Sequence, residues 1–287
     1  MNLKLLHIFL LSTGGTLLLC TPLIHTTELV NGLVIGKMCW FHLVMLFFSV
    51  CVFFVVLTKR TTAIAFLSSD LLLLIFTGTV LITYKWSLNP EPEKLIFIGQ
   101  LVIFWFLLRY ILTAYREFNF FFLFVGILTG LVEAVWGMQQ LHGHAYSNHS
   151  LFRLTGSFFN PGPYSGYLAV VLPVGLWMAL RFQKGMRCFG YICVGAILIV
   201  LPAGMSRSAW MAAVVACGWV YWAERIGWEK TKAVYRRNKN ATIPFIAIVA
   251  ILVGCAIAEL YGLKRDSADG RLLMWKVTGK AIAGHPV

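Results

Sequence analysis

The chain has 287 residues, of which 59% are hydrophobic and only 12% charged, and its mean hydropathy is +0.80. A soluble globular domain has about half apolar and a quarter charged residues, so this composition excludes one. The net charge is +13, but the charged residues lie in short clusters between long uncharged runs. That arrangement indicates membrane orientation rather than nucleic-acid binding, and no nucleic-acid partner is expected.

The long uncharged runs predict transmembrane helices, because crossing the hydrocarbon core takes roughly 20 helical residues. The expected fold class is all-α: a polytopic transmembrane helical bundle with about nine spans, forming a single transmembrane domain over residues 1–287. The first run also fits a cleaved signal peptide, since Lys4 precedes it, but its length favours a span. The predicted spans are residues 5–24, 38–57, 63–83, 95–112, 118–137, 164–182, 188–204, 209–223 and 243–261.

Lys and Arg residues are unevenly shared between the predicted loops. With the N-terminus in the cytoplasm, most of them fall in inner loops, including the basic segment 224–240. Positively charged loops resist translocation, so this bias predicts a cytoplasmic N-terminus. The basic segment is expected to lie against anionic lipids of the inner leaflet, with the bilayer as its partner.

Two polar regions, residues 139–163 and 204–210, are predicted to share the outer side, where positive residues are otherwise scarce. Each contains an arginine, Arg153 and Arg207, and Arg271 follows on the same predicted side. A guanidinium offers a planar fork of donors to phosphate oxygens, so a diphosphate-linked lipid is a suitable ligand. The alternative is that each arginine snorkels to lipid headgroups or caps a helix.

Other polar residues have structural and functional interpretations. Asn160 is expected to cap the helix that begins at Pro161, and free N–H groups at that helix end attract anions. The histidines of the 139–163 region (His142, His144 and His149) have no carboxylate or cysteine nearby, which favours solvated histidines over a metal site, so no metal is expected. Carboxylates within predicted spans are functional candidates by default. Glu133 and Glu259 lie near outer ends, where they can pair with the arginines, whereas Asp70 lies nearer the inner end, where snorkelling or hydrogen bonding is the alternative.

Residues 139–287 contain five short motifs. They are Arg153-Leu-Thr-Gly156-Ser-Phe158-Phe-Asn160-Pro161, then Gly166-Tyr167-Leu168, Ser206-Arg207-Ser208-Ala-Trp210, Gly270-Arg271 with Trp275, and His285-Pro286. In order and spacing this set resembles the superfamily of O-antigen ligases and Wzy-type O-antigen polymerases. Gly162 and Pro163 depart from the family pattern, which commonly has Asn after the Asn-Pro pair.

The resemblance implies a multi-pass glycosyltransferase of the bacterial inner membrane, active in lipopolysaccharide or related polysaccharide biosynthesis, with its site facing the periplasm. Such an enzyme moves a glycan from undecaprenyl diphosphate to a hydroxyl of an acceptor glycolipid, glycan or protein, without a cofactor; ligase and polymerase remain open. Residue by residue, it implies that Arg207 and Arg271 are catalytic contacts to the diphosphate. Arg153, Asn160 and Ser206 are the implied substrate-binding residues.

Family members continue past the His-Pro pair into a periplasmic loop that bears the proposed general base. The resemblance therefore predicts that this chain is an N-terminal portion, inactive by itself, and His285 is not that base. The alternative function is a polytopic transporter or flippase of a lipid-linked glycan, since outer arginines and intramembrane carboxylates fit that class too. A transporter also predicts interrupted helices in two related halves, which the sequence does not display.

Overall fold

The computed structural model describes residues 2–26, 32–59, 65–87, 90–237 and 265–284, where all regular secondary structure is helical. The side chains of residues 234–236, 265–268 and 271 lie outside this description. The chain divides into two compact units, Met1–Val220 and Tyr221–Val287. The α-helices are α1 (Leu3–Leu19), α2 (Gly32–Lys59), α3 (Ser68–Trp86), α4 (Pro92–Ala114), α5 (Glu117–Leu141), α6 (Pro161–Arg181), α7 (Lys184–Val200), α8 (Arg207–Tyr221), α9 (Gly227–Arg237) and α10 (Arg265–Gly284).

Six helices of the described residues, α2 to α7, are long and apolar enough to cross a membrane. The predicted first and eighth spans are helical, but α1 has 17 residues and α8 has 15, less than the roughly 20 a perpendicular crossing needs. The predicted ninth span, residues 243–261, lies outside the described residues. The all-helical fold and six candidate membrane-spanning helices are therefore confirmed for the described residues, whereas the count of about nine spans is not.

The helix ends differ from the predicted ends where polar residues fix them. The third span was predicted from residue 63, but α3 begins at Ser68 because the Asp70 carboxylate accepts the N–H of Leu67 at 2.8 Å. That bond satisfies one of the N–H groups that every helix start leaves without an internal partner. Hydropathy alone does not reveal such a boundary, because the residues on both sides of it are mostly apolar.

The buried apolar side chains of Met1–Val220 form two clusters. One cluster joins α5, α6 and α7 with the first turns of α8, and the other joins α1, α2 and α4 with the start of α5. Small residues bring backbones close: a Cβ on Gly190 of α7 would lie 2.7 Å from the backbone N of Ala179 in α6. Close approach of this kind favours association of apolar helices, for which lipid supplies no hydrophobic driving force.

A buried histidine links three helices at the end of the bundle where α1 begins. His7 Nδ1 lies 2.7 Å from the Tyr115 hydroxyl, and its Nε2 lies 2.7 Å from Thr58 Oγ1. The Thr58 hydroxyl donates to Phe54 O at 2.8 Å, so the neutral His7 ring donates from Nε2 and accepts the Tyr115 proton at Nδ1. Burial raises the pKa of the Tyr115 phenol above its ordinary value, which keeps that proton in place.

Asp70, a carboxylate that the sequence marks as a functional candidate, has a structural role at this same end. It forms an ion pair with Arg109 and accepts the indole N–H of Trp105 at 2.8 Å. Arg109 also donates to Ala65 O at 2.8 Å. These contacts fasten the start of α3 to the end of α4, and removing either partner leaves the other without its counter-charge.

Tyr221–Val287 begins with a π-helical turn, Trp222–Ile226, that ends at Gly227 with φ +71°. Trp222 donates its indole N–H to Thr231 Oγ1 at 2.9 Å and packs edge-to-face on Trp228, with ring centroids 6.2 Å apart. Lys232 lies 5.5 Å from the centroid of the exposed Trp228 ring. Exposed cations beside exposed indoles agree with the predicted lipid contact of this segment, which stays a prediction.

Candidate functional site

Three connections meet at the other end of Met1–Val220, which we call the loop end: residues 20–26, 142–160 and 201–206. His25 Nε2 lies 3.3 Å from Asn148 Oδ1, so the first connection contacts the second. The third contacts α6, because a Cβ on Gly204 would overlap Ser165 Oγ and lie 3.9 Å from Pro161 O. The regions 139–163 and 204–210, selected from the sequence, therefore lie at one end of the bundle.

Gln140, in the last turn of α5, braces the 142–160 loop. Its Oε1 accepts the N–H groups of Thr155 at 2.9 Å and Gly156 at 2.8 Å. Its Nε2 donates to Tyr146 O and Gly156 O, both at 3.0 Å. One buried amide thus satisfies four backbone groups on both arms of the loop, and Gly156 adopts the left-handed conformation with φ +56° that this fold-back requires.

Glu133 lies seven residues, about two helical turns, before Gln140 in α5, and it holds the same loop through Ser157. Its Oε2 accepts the Ser157 N–H at 3.0 Å, its Oε1 accepts the Ser157 hydroxyl, and its backbone carbonyl accepts the Tyr164 hydroxyl at 3.1 Å. The sequence suggested pairing with the outer arginines, but both described partners of the carboxylate belong to Ser157. A buried carboxylate needs such donors, since burial without them is costly.

Lys37 of α2 completes this buried polar cluster. Its Nζ donates to Ile24 O at 2.6 Å, to Ser157 Oγ at 3.1 Å and to Pro22 O, and it lies 5.0 Å from the centroid of the Phe158 ring. Nothing in the sequence connects Lys37 with Glu133, because an ammonium and a carboxylate far apart in the chain give no local pattern. Lys37 and Glu133 supply opposite charges on either side of Ser157.

Asn160 caps α6 as predicted: its Oδ1 accepts the N–H of Gly162 at 3.0 Å. Pro161 and Pro163 have no N–H, and the Tyr164 N–H reaches Asn160 O at 3.5 Å. The N–H groups of Gly162 and Tyr164 therefore both have acceptors on Asn160, and the attraction of an anion by this helix end stays a prediction.

Ser206 and Arg207 lie where α8 begins. The Ser206 carbonyl accepts the Trp210 N–H at 3.1 Å, and its hydroxyl lies 3.3 Å from Ser208 Oγ. Trp210 also donates its indole N–H to Leu201 O at 2.9 Å, which fixes the junction between α7 and α8. Arg207 is partly buried there. The contact of Gly204 with the first turn of α6 brings this junction to the turn that Asn160 caps.

Ser165, on that first turn of α6, is fully buried, and its Oγ has no hydrogen-bond partner among the described residues. Its hydroxyl lies where Gly204 leaves room for it. An unsatisfied buried hydroxyl costs about 1–3 kcal/mol, so it marks a place where function or water offsets the cost. No sequence pattern singled out Ser165.

Arg153 and Arg271 are the two remaining arginines of the predicted site. Arg153 is exposed on the 142–160 loop and is followed by the buried Leu154. Arg271 lies on α10 of Tyr221–Val287, and its side chain lies outside the described residues. The loop end thus brings together Asn160, Ser206 and Arg207, and it carries Arg153, while the role of Arg271 stays a prediction.

A cavity of about 630 Å³ runs from the loop end toward the opposite end of the bundle. Its loop-end rim holds Lys37, Thr21 and Tyr167, and Tyr167 lies 2.7 Å from Thr129 through their hydroxyls. The walls are aliphatic and aromatic side chains from α1, α2, α4, α5 and α6. Its volume and its mostly apolar walls with few polar groups are typical of small-molecule sites.

Two of the loop histidines, His142 and His149, have side chains with local partners. His142 Nδ1 lies 2.8 Å from Met138 O, and His149 Nδ1 accepts the N–H of Leu151 at 3.1 Å. Among the described residues no three His, Cys, Asp or Glu side chains lie together in a way that can hold a metal ion. His142 and His149 are thus accounted for by hydrogen bonds within the loop region.

Comparison of the chain with family models, with curated proteins and with solved structures gave no match. The resemblance to O-antigen ligases and polymerases therefore rests on the motifs alone, and the function that follows from it is a proposal.

Proposed function

We propose that this protein is a membrane glycosyltransferase of the O-antigen ligase or polymerase type, which moves a glycan from undecaprenyl diphosphate to an acceptor hydroxyl. The observation that carries the proposal is the meeting of the start of α6 with the junction before α8. That meeting joins the motif containing Asn160 to the motif containing Ser206 and Arg207, although Asn160 and Ser206 are 46 positions apart in the chain.

The chemistry of the transfer fits a partly buried arginine at this place. The acceptor oxygen attacks the anomeric carbon, the bond from that carbon to the phosphate oxygen breaks, and the diphosphate leaves with the electron pair. The proton of the acceptor hydroxyl passes to a general base. Negative charge grows on the phosphate oxygens, so the Arg207 guanidinium stabilises the transition state more than the ground state.

The apolar cavity supports a lipid-linked donor over a soluble one. Thr21, Pro22 and Lys37 line it at the loop end, and its apolar walls continue along the helices and suit an isoprenoid chain; Arg207 is not among its lining residues. A soluble nucleotide sugar has no long apolar chain to contact such walls. In this proposal the transfer takes place at the periplasmic face, which the bias of Lys and Arg toward the other predicted loops supports.

Arg207 is the residue to test, in full-length protein reconstituted into vesicles. The donor is an undecaprenyl-diphosphate-linked oligosaccharide with a radiolabelled glycan, and the acceptors are a lipid A-core glycolipid, a second lipid-linked repeat and an acceptor protein in separate reactions. We expect Arg207→Ala to lower transfer roughly 100-fold or more, because a charge-stabilising donor is lost. Arg207→Lys should also lower transfer, since an ammonium does not replace the guanidinium fork.

Arg187→Ala is the matched control, because Arg187 is an exposed arginine at the other end of the bundle that donates to Phe182 O at 3.1 Å. It should transfer at the wild-type rate. If Arg207→Ala transfers glycan at the wild-type rate, Arg207 has no role in the mechanism. Movement of the intact lipid-linked glycan across the bilayer, with no cleavage from its lipid in any reaction, identifies a flippase instead.

A further inference from the structure

The 142–160 loop carries an aromatic patch made of His149, Phe152 and Phe159. The centroid of the His149 ring lies 4.8 Å from that of Phe152 and 4.9 Å from that of Phe159, with interplanar angles of 49° and 59°. The side chain of Phe152 is 38% exposed and that of Phe159 is 47% exposed. The two phenylalanines therefore keep accessible ring surface while the histidine between them holds their spacing.

Each phenylalanine of the aromatic patch is followed in the chain by an exposed side chain with N–H donors. Arg153 follows Phe152, and Asn160 follows Phe159. The His149 Nδ1 accepts the Leu151 N–H at 3.1 Å, so the neutral ring carries its proton on Nε2. Exposed rings and exposed donors therefore occupy neighbouring positions of the loop.

The backbone beneath the aromatic patch is fixed before any ligand arrives. Asn148 Nδ2 donates to Gly156 O and to Phe158 O, both at 3.0 Å, and the Asn148 N–H donates to Thr155 Oγ1 at 3.1 Å. These bonds cross-link the arm that carries His149 to the arm that carries Phe159. A surface ordered in advance loses little conformational entropy on binding, which favours a recognition site.

We propose that the aromatic patch is a binding subsite for a pyranose ring of the transferred or accepting glycan. The C–H faces of a pyranose carry partial positive charge and pack on the negative faces of aromatic rings, while its hydroxyls pair with donors such as Arg153 and Asn160. A lipid chain needs apolar contact only, so the bordering polar groups favour a sugar. The assignment rests on the proposed glycan-transfer function and names where the sugar lies.

The test measures sugar binding without transfer, on full-length protein in nanodiscs of zwitterionic lipid. The probe is a set of immobilised bacterial core and O-chain oligosaccharides. The variant Phe152→Leu/Phe159→Leu keeps apolar volume at the patch and removes both rings. We expect wild-type protein to bind at least one oligosaccharide and the double variant to bind it roughly tenfold more weakly, from the loss of two ring contacts.

Leu151→Ala is the matched control, because Leu151 lies between His149 and Phe152, is 82% exposed and has no ring. It should bind the oligosaccharide as wild-type protein does. Equal loss in Leu151→Ala shows that apolar area rather than ring chemistry matters, as for insertion into lipid, and overturns the proposal. Absence of binding to every oligosaccharide by wild-type protein overturns it as well.

A second measurement keeps the assignment testable if the double variant unfolds. Saturation-transfer NMR on wild-type nanodiscs should show transfer from aromatic protons to the ring C–H protons of the bound oligosaccharide, and its absence contradicts the proposal. The outcomes are separable from those of Arg207. If Arg207→Ala loses transfer but sugar binding does not depend on the rings, only the sugar-binding assignment of the patch is wrong. If sugar binding depends on the rings but no transfer occurs, only the transferase assignment is wrong.

Discussion

Gln139 and Gln140 are chemically identical neighbours in α5, yet only the side chain of Gln140 braces the 142–160 loop. Gln140 is buried and bonds to four backbone groups of the loop, whereas Gln139 has an exposed side chain. The difference arises because successive residues of a helix point about 100° apart, so neighbours face different surroundings. Nothing in the local sequence distinguishes the two, so the sequence does not single out Gln140.

Replacing Gln140 with Leu should loosen the loop. The substitution leaves the N–H groups of Thr155 and Gly156 without their acceptor, at a cost of about 1–3 kcal/mol for each buried donor left unpaired. We expect faster hydrogen exchange at residues 146–157 and weaker glycan transfer. Gln139→Leu is the control and should exchange like wild-type protein; equal protection of the loop in Gln140→Leu would contradict the bracing role.

At the scale of the element, glycines decide which helices lie close together. Gly190 and Gly195 are both in α7, but a Cβ on Gly190 would lie 2.7 Å from Ala179 N and 2.9 Å from Gly175 O, while one on Gly195 meets nothing within 4 Å. Gly190 thus faces α6, and Gly195 faces open space. A glycine contributes the same hydropathy at either position, and the contact with α6 distinguishes the two.

We expect Gly190→Ala to destabilise the packing of α6 on α7 by about 1–3 kcal/mol, since an added methyl group in a tight contact forces backbone shifts. Gly195→Ala should be neutral or slightly stabilising, because Ala favours helix over Gly. Thermal unfolding of the two purified variants in the same detergent measures the difference. Matching midpoints for the two variants would show that the close approach at Gly190 does not matter for stability.

At the scale of the whole molecule, the positions of the connections alternate between the two ends of Met1–Val220. The start of α1, the end of α2 and the α4–α5 connection meet around His7, whereas residues 20–26, 142–160 and 201–206 meet at the loop end. This alternation is what the sequence predicts for consecutive spans. Which end faces the cytoplasm rests on the distribution of Lys and Arg.

Labelling of single cysteines tests that orientation. In a background with the seven native cysteines replaced, an impermeant maleimide added from the periplasmic side should modify Tyr146→Cys and not Lys232→Cys. Tyr146 is 98% exposed and Lys232 is exposed, so accessibility within the protein does not limit either reaction. Permeabilised cells are the control, in which both cysteines react. The reverse pattern in intact cells overturns the predicted topology.

The sequence by itself determined the membrane class, the places of α2 to α7 to within a few residues, and the Asn160 cap, because apolar run length and capping are local properties of the chain. Only the tertiary structure decided that Lys37 bonds to Ser157, 120 residues away, that Glu133 pairs with that serine rather than with an arginine, and that Gly204 lies on the first turn of α6. Such contacts depend on which faces of separate helices meet. In nearly uniform apolar helices the hydropathy pattern does not specify those faces, so packing of small side chains and pairing of buried polar groups select them.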